Sequence, residues 1–191
     1  MTDFGGNVST VVLDNNNPSD HVVEVIKTAE AATWAGTTIG TNGGFATDIP
    51  LTLDNSIMSV RVWSPEAGTP IRLKVEDSND PTHTCETETV TTVGGEWEDL
   101  AFDFSNEAPG TAALAFGLTN GWSYNMASIF FDFGTEGQTV GEQTYYFDDV
   151  YFGELLSSTT DLEVSDILIY PNPTHDQWII KSNHTIITHV N

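Results

Sequence analysis

Short stretches of alternating apolar and polar residues run along the chain from Phe4 to Phe152. In two of them, Ser56–Trp63 and Ile71–Asp77, every second residue is Val, Ile, Leu or Met, and most of the residues between them are polar or charged. Such alternation places successive side chains on opposite faces of a strand. Gly, Asn, Asp and Pro separate these stretches, as expected of tight turns between antiparallel strands. The pattern predicts an all-β protein, an antiparallel β-sandwich.

The predicted strands are Ser9–Leu13, His21–Ile26, Thr37–Ile39, Ile49–Leu51, Ser56–Trp63, Ile71–Asp77, Cys85–Thr92, Glu98–Phe104, Ala112–Leu118, Ser128–Phe133 and Gln143–Phe152. Because only the short segment SPEAGTP joins the fifth strand to the sixth, we expect these two to be neighbours in one sheet. One face would then carry Arg61, Trp63, Arg72, Lys74 and Glu76 together. That face would hold three of the four Lys and Arg residues found before residue 160.

Composition narrows the possible functions. The 191 residues suit one domain with an appendage, and 39% hydrophobic residues is too rich for disorder. With 28 Asp and Glu against 5 Lys and Arg, the net charge of −23 disfavours nucleic acid and anionic membrane surfaces as partners. No apolar run approaches the roughly 18 residues of a membrane-spanning helix. The single cysteine, Cys85, cannot form an internal disulfide.

Catalytic signatures are missing from the sequence. It contains no GxSxG, HExxH or glycine-rich phosphate loop, and its five histidines lack zinc-ligand spacing. Glu86 and Glu88 share one strand face, which we interpret as a charged, solvent-facing surface. We therefore expect no enzymatic activity. Two other classes stay open: a small jelly-roll glycoside hydrolase or polysaccharide lyase, and a purely structural or adhesive domain.

Three blocks of the sequence, Val60–Asn106, KTAEAATWAGTTIG and TYYFDDVYFG, resemble carbohydrate-binding modules of secreted polysaccharide-degrading enzymes of marine Bacteroidetes. These modules are similar to the jelly-roll modules of family four and its relatives, several of which bind β-1,3-glucan. The resemblance implies a noncatalytic jelly roll over residues 1–154 that holds an attached glycan-degrading enzyme, a glycoside hydrolase, on a polysaccharide such as laminarin. It also implies a structural calcium ion that ties the first strand to the last. Asp3, Gly5, Asp148 and Asp149 are the candidate ligands, because calcium prefers oxygen donors.

Sugar rings stack on flat aromatic side chains, and their hydroxyls pair with planar polar groups. The candidate ligand-binding residues are Trp34, Arg61, Trp63, Arg72, Lys74, Glu76, His83, Trp122, Tyr124 and Asn125. Trp97, beside the strand residues Leu100 and Phe102, is interpreted as structural. The cation cluster leaves two alternatives open. It could bind alginate or another uronate by reversing the field locally, or it could be a surface lattice of Arg–Glu pairs.

The composition changes after Gly153, so we divide the chain into a sandwich at 1–154, a linker at 155–168 and a tail at 169–191. The tail segment IYPNPTHDQWIIKS resembles the start of the C-terminal sorting domain read by the type IX secretion system. This resemblance implies a secreted or cell-surface protein, of which the sequence is a fragment without its signal peptide. We expect the shortened tail to be poorly ordered and the module to be a monomer.

Overall fold

The computed structural model describes residues 1–14, 16–41 and 43–152, and the backbone of three further strands within 167–174, 177–182 and 185–187. In chain order the elements are β1 (Thr2–Phe4), β2 (Asn7–Asp14), β3 (Asn17–Lys27), β4 (Gly36–Ile39), β5 (Ile57–Trp63), β6 (Pro70–Asp77), β7 (Asp80–Val90), β8 (Trp97–Asp103), α1 (Leu114–Thr119), β9 (Met126–Phe131), α2 (Gly137–Val140), β10 (Gln143–Phe152), β11 (Ile167–Thr174), β12 (Gln177–Ser182) and β13 (Thr185–Ile187). Neither described helix is long and apolar enough to cross a membrane.

The strands form two antiparallel sheets. The front sheet has the order β1-β4-β9-β6-β7. In the back sheet β10 pairs with β3 and β5, β3 pairs with β2, and β5 pairs with β8. Strands β11, β12 and β13 continue the back sheet from the end of β10. The predicted all-β antiparallel sandwich is confirmed.

Alternation along the strands builds the core between the sheets. In β5 the inward side chains are Met58, Val60 and Val62, and in β6 they are Ile71, Leu73 and Val75. All six are fully buried. Removing this apolar surface from water supplies the main driving force for closing the two sheets on one another. The two faces predicted for each of these strands are therefore confirmed.

The prediction that β5 and β6 are neighbours in one sheet is wrong. Strand β5 lies in the back sheet between β8 and β10, whereas β6 lies in the front sheet between β7 and β9. A short loop can cross the roughly 10 Å between packed sheets as well as join adjacent strands. Arg61 and Trp63 consequently face away from the side of the molecule that carries Arg72, Lys74 and Glu76.

Two other predicted strands are also wrong. The segment Ala112–Leu118 contains the short helix α1, whose Leu114 and Gly117 are buried. These residues are three apart and so share one helix face. Gly117 has no room for a side chain, because a Cβ there would overlap the Tyr124 hydroxyl. Ile49–Leu51 is not a strand, although Ile49 and Leu51 belong to the core.

The predicted linker and tail are only partly described by the structure. All but the last two residues of the predicted linker, 155–168, lie outside the described residues, and those two begin β11. Strand β11 pairs with β10 through Val150 opposite Ile169 and Tyr151 opposite Leu168. The domain boundaries, the sorting domain and the expected disorder of the tail stay predictions.

Candidate functional site

A row of small and charged side chains crosses the outer face of the front sheet. Thr2, Thr38, Ser128, Lys74 and Glu86 lie opposite one another on five successive strands. Thr38 is 5% exposed and Ser128 only 1% exposed, although both point away from the core. Their hydroxyl oxygens lie 3.3 Å apart in a mutual hydrogen bond. Small outward side chains are this inaccessible only where taller neighbours surround them, so this row is the floor of a recess, which we call the front groove.

Aromatic rings form one wall of the front groove. Phe4 and Phe130 close over Gly36, where a Cβ would lie 2.6 Å from the Phe4 ring and 2.7 Å from the Phe130 ring. The centroids of these two rings are 5.6 Å apart in an edge-to-face arrangement. Trp34 stacks on Phe4 at 6.3 Å and is 55% exposed. The wall therefore presents an indole face to solvent on a rigid aromatic support.

Ion pairs line the β6–β7 end of the front groove, where Arg72 is in register with Phe130, and Lys74 and Glu86 continue the floor row. Arg72 Nη1 lies 3.0 Å from Glu86 Oε2, and its Nη2 lies 3.2 Å from Glu88 Oε2. Lys74 Nζ lies 2.6 Å from Glu76 Oε2. The Arg72 guanidinium also packs 3.6 Å from the centroid of the Phe133 ring, which holds it in place. Arg–Glu pairing between neighbouring strands, one of the two alternatives for these cations, is thus what the side chains do in the free protein.

Four other predicted ligand-binding residues lie elsewhere. Tyr124 belongs to the core, so it cannot line a groove, and burial raises the pKa of its hydroxyl to about 12. His83 and Trp122 stack on each other with centroids 4.5 Å apart, and Trp122 packs against the edge of the core. Asn125 holds the turn after β6, because its Oδ1 accepts a 2.8 Å hydrogen bond from the Ser78 N–H. None of these four shares the front groove.

The outer face of the back sheet carries the remaining two candidates. Arg61 and Trp63 point outward from β5, beside Trp97 on β8 and Tyr146 on β10. Trp97 is half-buried and lies outside the core, and its interpretation as structural stays a prediction. Sequence reasoning placed the wrong aromatic residues near Trp63 because register across strands is not visible in a single sequence.

The four candidate calcium ligands do not form one site. The Asp3 carboxylate on β1 already accepts hydrogen bonds from the Ser9 N–H (2.8 Å), the Ser9 hydroxyl (3.0 Å) and the Thr37 hydroxyl (2.7 Å). Asp148 and Asp149 lie on β10 in the other sheet, and burial raises the pKa of Asp148 to about 7. Within the described part of the chain, no three His, Cys, Asp or Glu side chains are placed to hold a metal ion. The calcium ion stays a prediction.

Comparison with known proteins adds a fold-level likeness. No protein-family model and no curated protein matches the sequence. A crystal structure of a family 30 carbohydrate-binding module is similar, with a TM-score of 0.50 and 11% identity over 82% of this chain and 80% of that chain. The family 30 module of the cellulosomal cellulase Cel9D-Cel44B of Clostridium thermocellum has a TM-score of 0.45 and 12% identity over 74% of this chain and 80% of that chain. The first likeness agrees with the β-sandwich of jelly-roll type and concerns the fold alone.

Proposed function

We propose that this chain is a noncatalytic carbohydrate-binding module that holds its glycan in the front groove. The observation that carries the proposal is the recessed Thr38–Ser128 floor between an exposed indole and a set of ion pairs. Stacking of a pyranose on Trp34 would bury its apolar C–H face. Arg72 and Lys74 retain N–H donors beyond those used in their ion pairs, and Glu86 retains acceptor sites, so these three side chains can form hydrogen bonds with sugar hydroxyls. Glu76 is only 5% exposed, and its role in this proposal is to hold Lys74 in place.

The charges of the groove favour a neutral glycan. Two cations and three carboxylates give the set Arg72, Lys74, Glu76, Glu86 and Glu88 a net charge of about −1, and both cations are already paired. Arg61 lies on the other sheet, so it does not join Arg72 and Lys74 in the cluster of three cations that favoured a uronate ligand. We therefore propose a neutral β-glucan, with the β-1,3-glucan laminarin first on the resemblance of the sequence. An attached glycan-degrading domain and a secreted or cell-surface location belong to the same proposal.

The contacts in the front groove support glycoside hydrolysis less well than they support binding. Glycosidases use two carboxyl groups that flank the scissile bond, one of them as an acid. In the front groove Glu86 and Glu88 both bind Arg72, and Glu76 binds Lys74. These contacts suit fixed hydrogen-bonding partners for a ligand better than an acid and a nucleophile.

Affinity electrophoresis against laminarin, mixed-linkage glucan, xylan and alginate tests the function. We expect retardation by a neutral glucan and none by alginate. Failure of all four glycans to retard the folded protein would overturn the proposal. Retardation by alginate alone would replace the neutral ligand with a polyanion.

The Trp34→Ala variant tests the site. Loss of a stacked aromatic anchor costs about 1–3 kcal/mol, which weakens binding about 5- to 150-fold. Phe116→Ala is the matched control, because Phe116 is an aromatic residue equally exposed at 55% but outside the groove. We expect the control to bind as wild type in isothermal titration calorimetry. Equal affinity of Trp34→Ala and wild type for a bound glucan would show that the front groove is not the site.

A further inference from the structure

A second row of side chains crosses the outer face of the back sheet. Trp97, Trp63, Tyr146, Glu24 and Thr10 lie opposite one another on β8, β5, β10, β3 and β2. The Trp63 and Tyr146 centroids are 5.5 Å apart, and those of Trp97 and Tyr146 are 6.3 Å apart. The ring planes are inclined to one another by 76° and 54°, so the three rings form an edge-to-face aromatic cluster that spans three neighbouring strands.

A pocket of about 320 Å³ opens beside these three rings. Its other lining residues come from β2, β3 and the loops around them: Leu13, Asp14, Asn16, Val22 and Gly95. Asp14 Oδ1 accepts a 2.8 Å hydrogen bond from the Asn16 N–H, which fixes the polar rim. The volume is at the lower end of small-ligand sites, and aromatic walls with few polar groups are typical of them. We call this site the back pocket.

Arg61 adds a hydrogen-bond donor beside the rings. Its guanidinium lies 4.5 Å from the centroid of the Trp97 ring, and it forms no salt bridge with any described residue. In register it stands between Asp99 on β8 and Asp148 on β10. With Asp14 at the rim as well, the surroundings carry more negative than positive charge. A neutral, hydroxyl-rich ligand fits this field, and a polyanion does not.

We infer that the back pocket is a second carbohydrate site, which packs a sugar unit of a neutral glycan against Trp63 and Trp97. The ligand class rests on the proposed function. The back pocket and the front groove lie on the outer faces of two opposed sheets, with the core between them. A single short glycan segment therefore cannot occupy both, and the module binds two segments at once and can bridge two polysaccharide chains.

The indole N–H signals of the tryptophans in an NMR titration separate the two sites. The probes are laminarihexaose, cellohexaose and xylohexaose added to the full chain, with signals assigned by single Trp→Phe variants. We expect one of these oligosaccharides to shift the Trp34 signal and the Trp63 and Trp97 signals, with independent midpoints. In Trp34→Ala the shifts of Trp63 and Trp97 should persist.

Each outcome bears on a different claim. Shifts confined to Trp34 would overturn the back pocket and leave the proposed function intact. Shifts confined to Trp63 and Trp97 would support the back pocket and overturn the front groove. Silence of all these signals toward all three probes would overturn both.

Bridging has its own measurement, the turbidity of polymeric laminarin mixed with the protein. We expect wild type to cross-link the polymer and Trp63→Ala to lose cross-linking. The affinity of the back pocket, measured from the Trp97 signal, should be at least about tenfold weaker in Trp63→Ala than in wild type. Asn16→Ala, at the exposed rim, is a second variant: it removes an amide side chain that lines the back pocket and leaves the packed rings untouched. Unchanged turbidity in both variants, each folded as wild type, would contradict the inference.

Discussion

Replacement of Lys27 by Met should destabilise the sandwich. Lys27 is fully buried, and its Nζ donates to the carbonyl oxygens of Phe131 at 3.1 Å and Asp132 at 2.6 Å. It thereby joins β3 of the back sheet to the end of β9 in the front sheet. Asp132 has a φ of 49°, in the left-handed region that a residue other than glycine adopts at a cost. The ammonium group helps to hold that conformation.

The expected cost follows from the two hydrogen bonds. Each bond from a charged donor contributes about 1.5–3 kcal/mol. The Asp132 carbonyl keeps a second donor, the Thr135 N–H at 3.2 Å, so it stays hydrogen-bonded after the substitution. Methionine also avoids the cost of burying an ammonium group, which offsets part of the loss. We expect a net destabilisation of about 2–4 kcal/mol, or roughly 4–16 °C in Tm for a chain of this size.

Urea unfolding of wild type and Lys27→Met at neutral pH measures the difference, with Glu30→Met as a control for a charge removed from an exposed position. Burial lowers the pKa of Lys27 below the usual 10.5. At a pH between the lowered pKa of Lys27 in the folded protein and its usual pKa in the unfolded chain, the unfolded chain binds more protons than the folded one. The free energy of unfolding of wild type therefore rises with pH through that range. The advantage of wild type over Lys27→Met should therefore grow toward pH 10.5. Equal stability and equal pH dependence of the two proteins would refute the reasoning.

Three further predictions concern buried groups and the metal. Tyr124→Phe should keep or raise the free energy of unfolding by about 1 kcal/mol, because the buried hydroxyl has no hydrogen-bond partner among the described residues; a clear fall in the urea midpoint would contradict this. Cys85 should resist a thiol reagent at pH 8 until the protein unfolds, since it is buried and its thiol pKa is raised to about 12; rapid labelling of the native protein would show otherwise. If calcium binds only the folded state, it should raise the Tm and EGTA should lower it, whereas an unchanged Tm would remove the ion predicted from the sequence.

The strand faces were predictable because they depend on local alternation. Met58 to Val62 and Ile71 to Val75 needed nothing beyond their own spacing. The partner of each strand depends on contacts far apart in sequence, and the sequence offered only loop length as a guide. Loop length misled the prediction at the loop after Trp63, because this loop crosses from one sheet to the other. The prediction that five ligand-binding residues share one face was therefore wrong as well.

The sequence predicted some residue types of the candidate site and did not predict how they assemble. Trp34 stood out as a tryptophan in a segment of small residues, and it is the exposed ring of the front groove. The groove floor gave no signal, because Thr38 and Ser128 have common side chains whose importance comes from register. Tyr124 was misjudged because a loop position next to Trp122 gives no measure of depth. The core-forming neighbours of Trp97, Leu100 and Phe102, lie on the other face of β8, so they gave no measure of the depth of Trp97 itself.

The placement of the cations has a kinetic consequence. In the part of the chain that the structure describes, Lys27 lies in the interior, Arg72 and Lys74 lie in ion pairs, and Arg61 lies on an indole ring. The loops of this part of the chain therefore carry Asp and Glu and no Lys or Arg. An uncharged polymer feels no long-range field from such a surface, so its association rate should hardly change with ionic strength. Neighbouring copies repel one another at low salt and approach more closely as salt screens their charge, so the density of modules along a polymer would be set by the salinity of the medium.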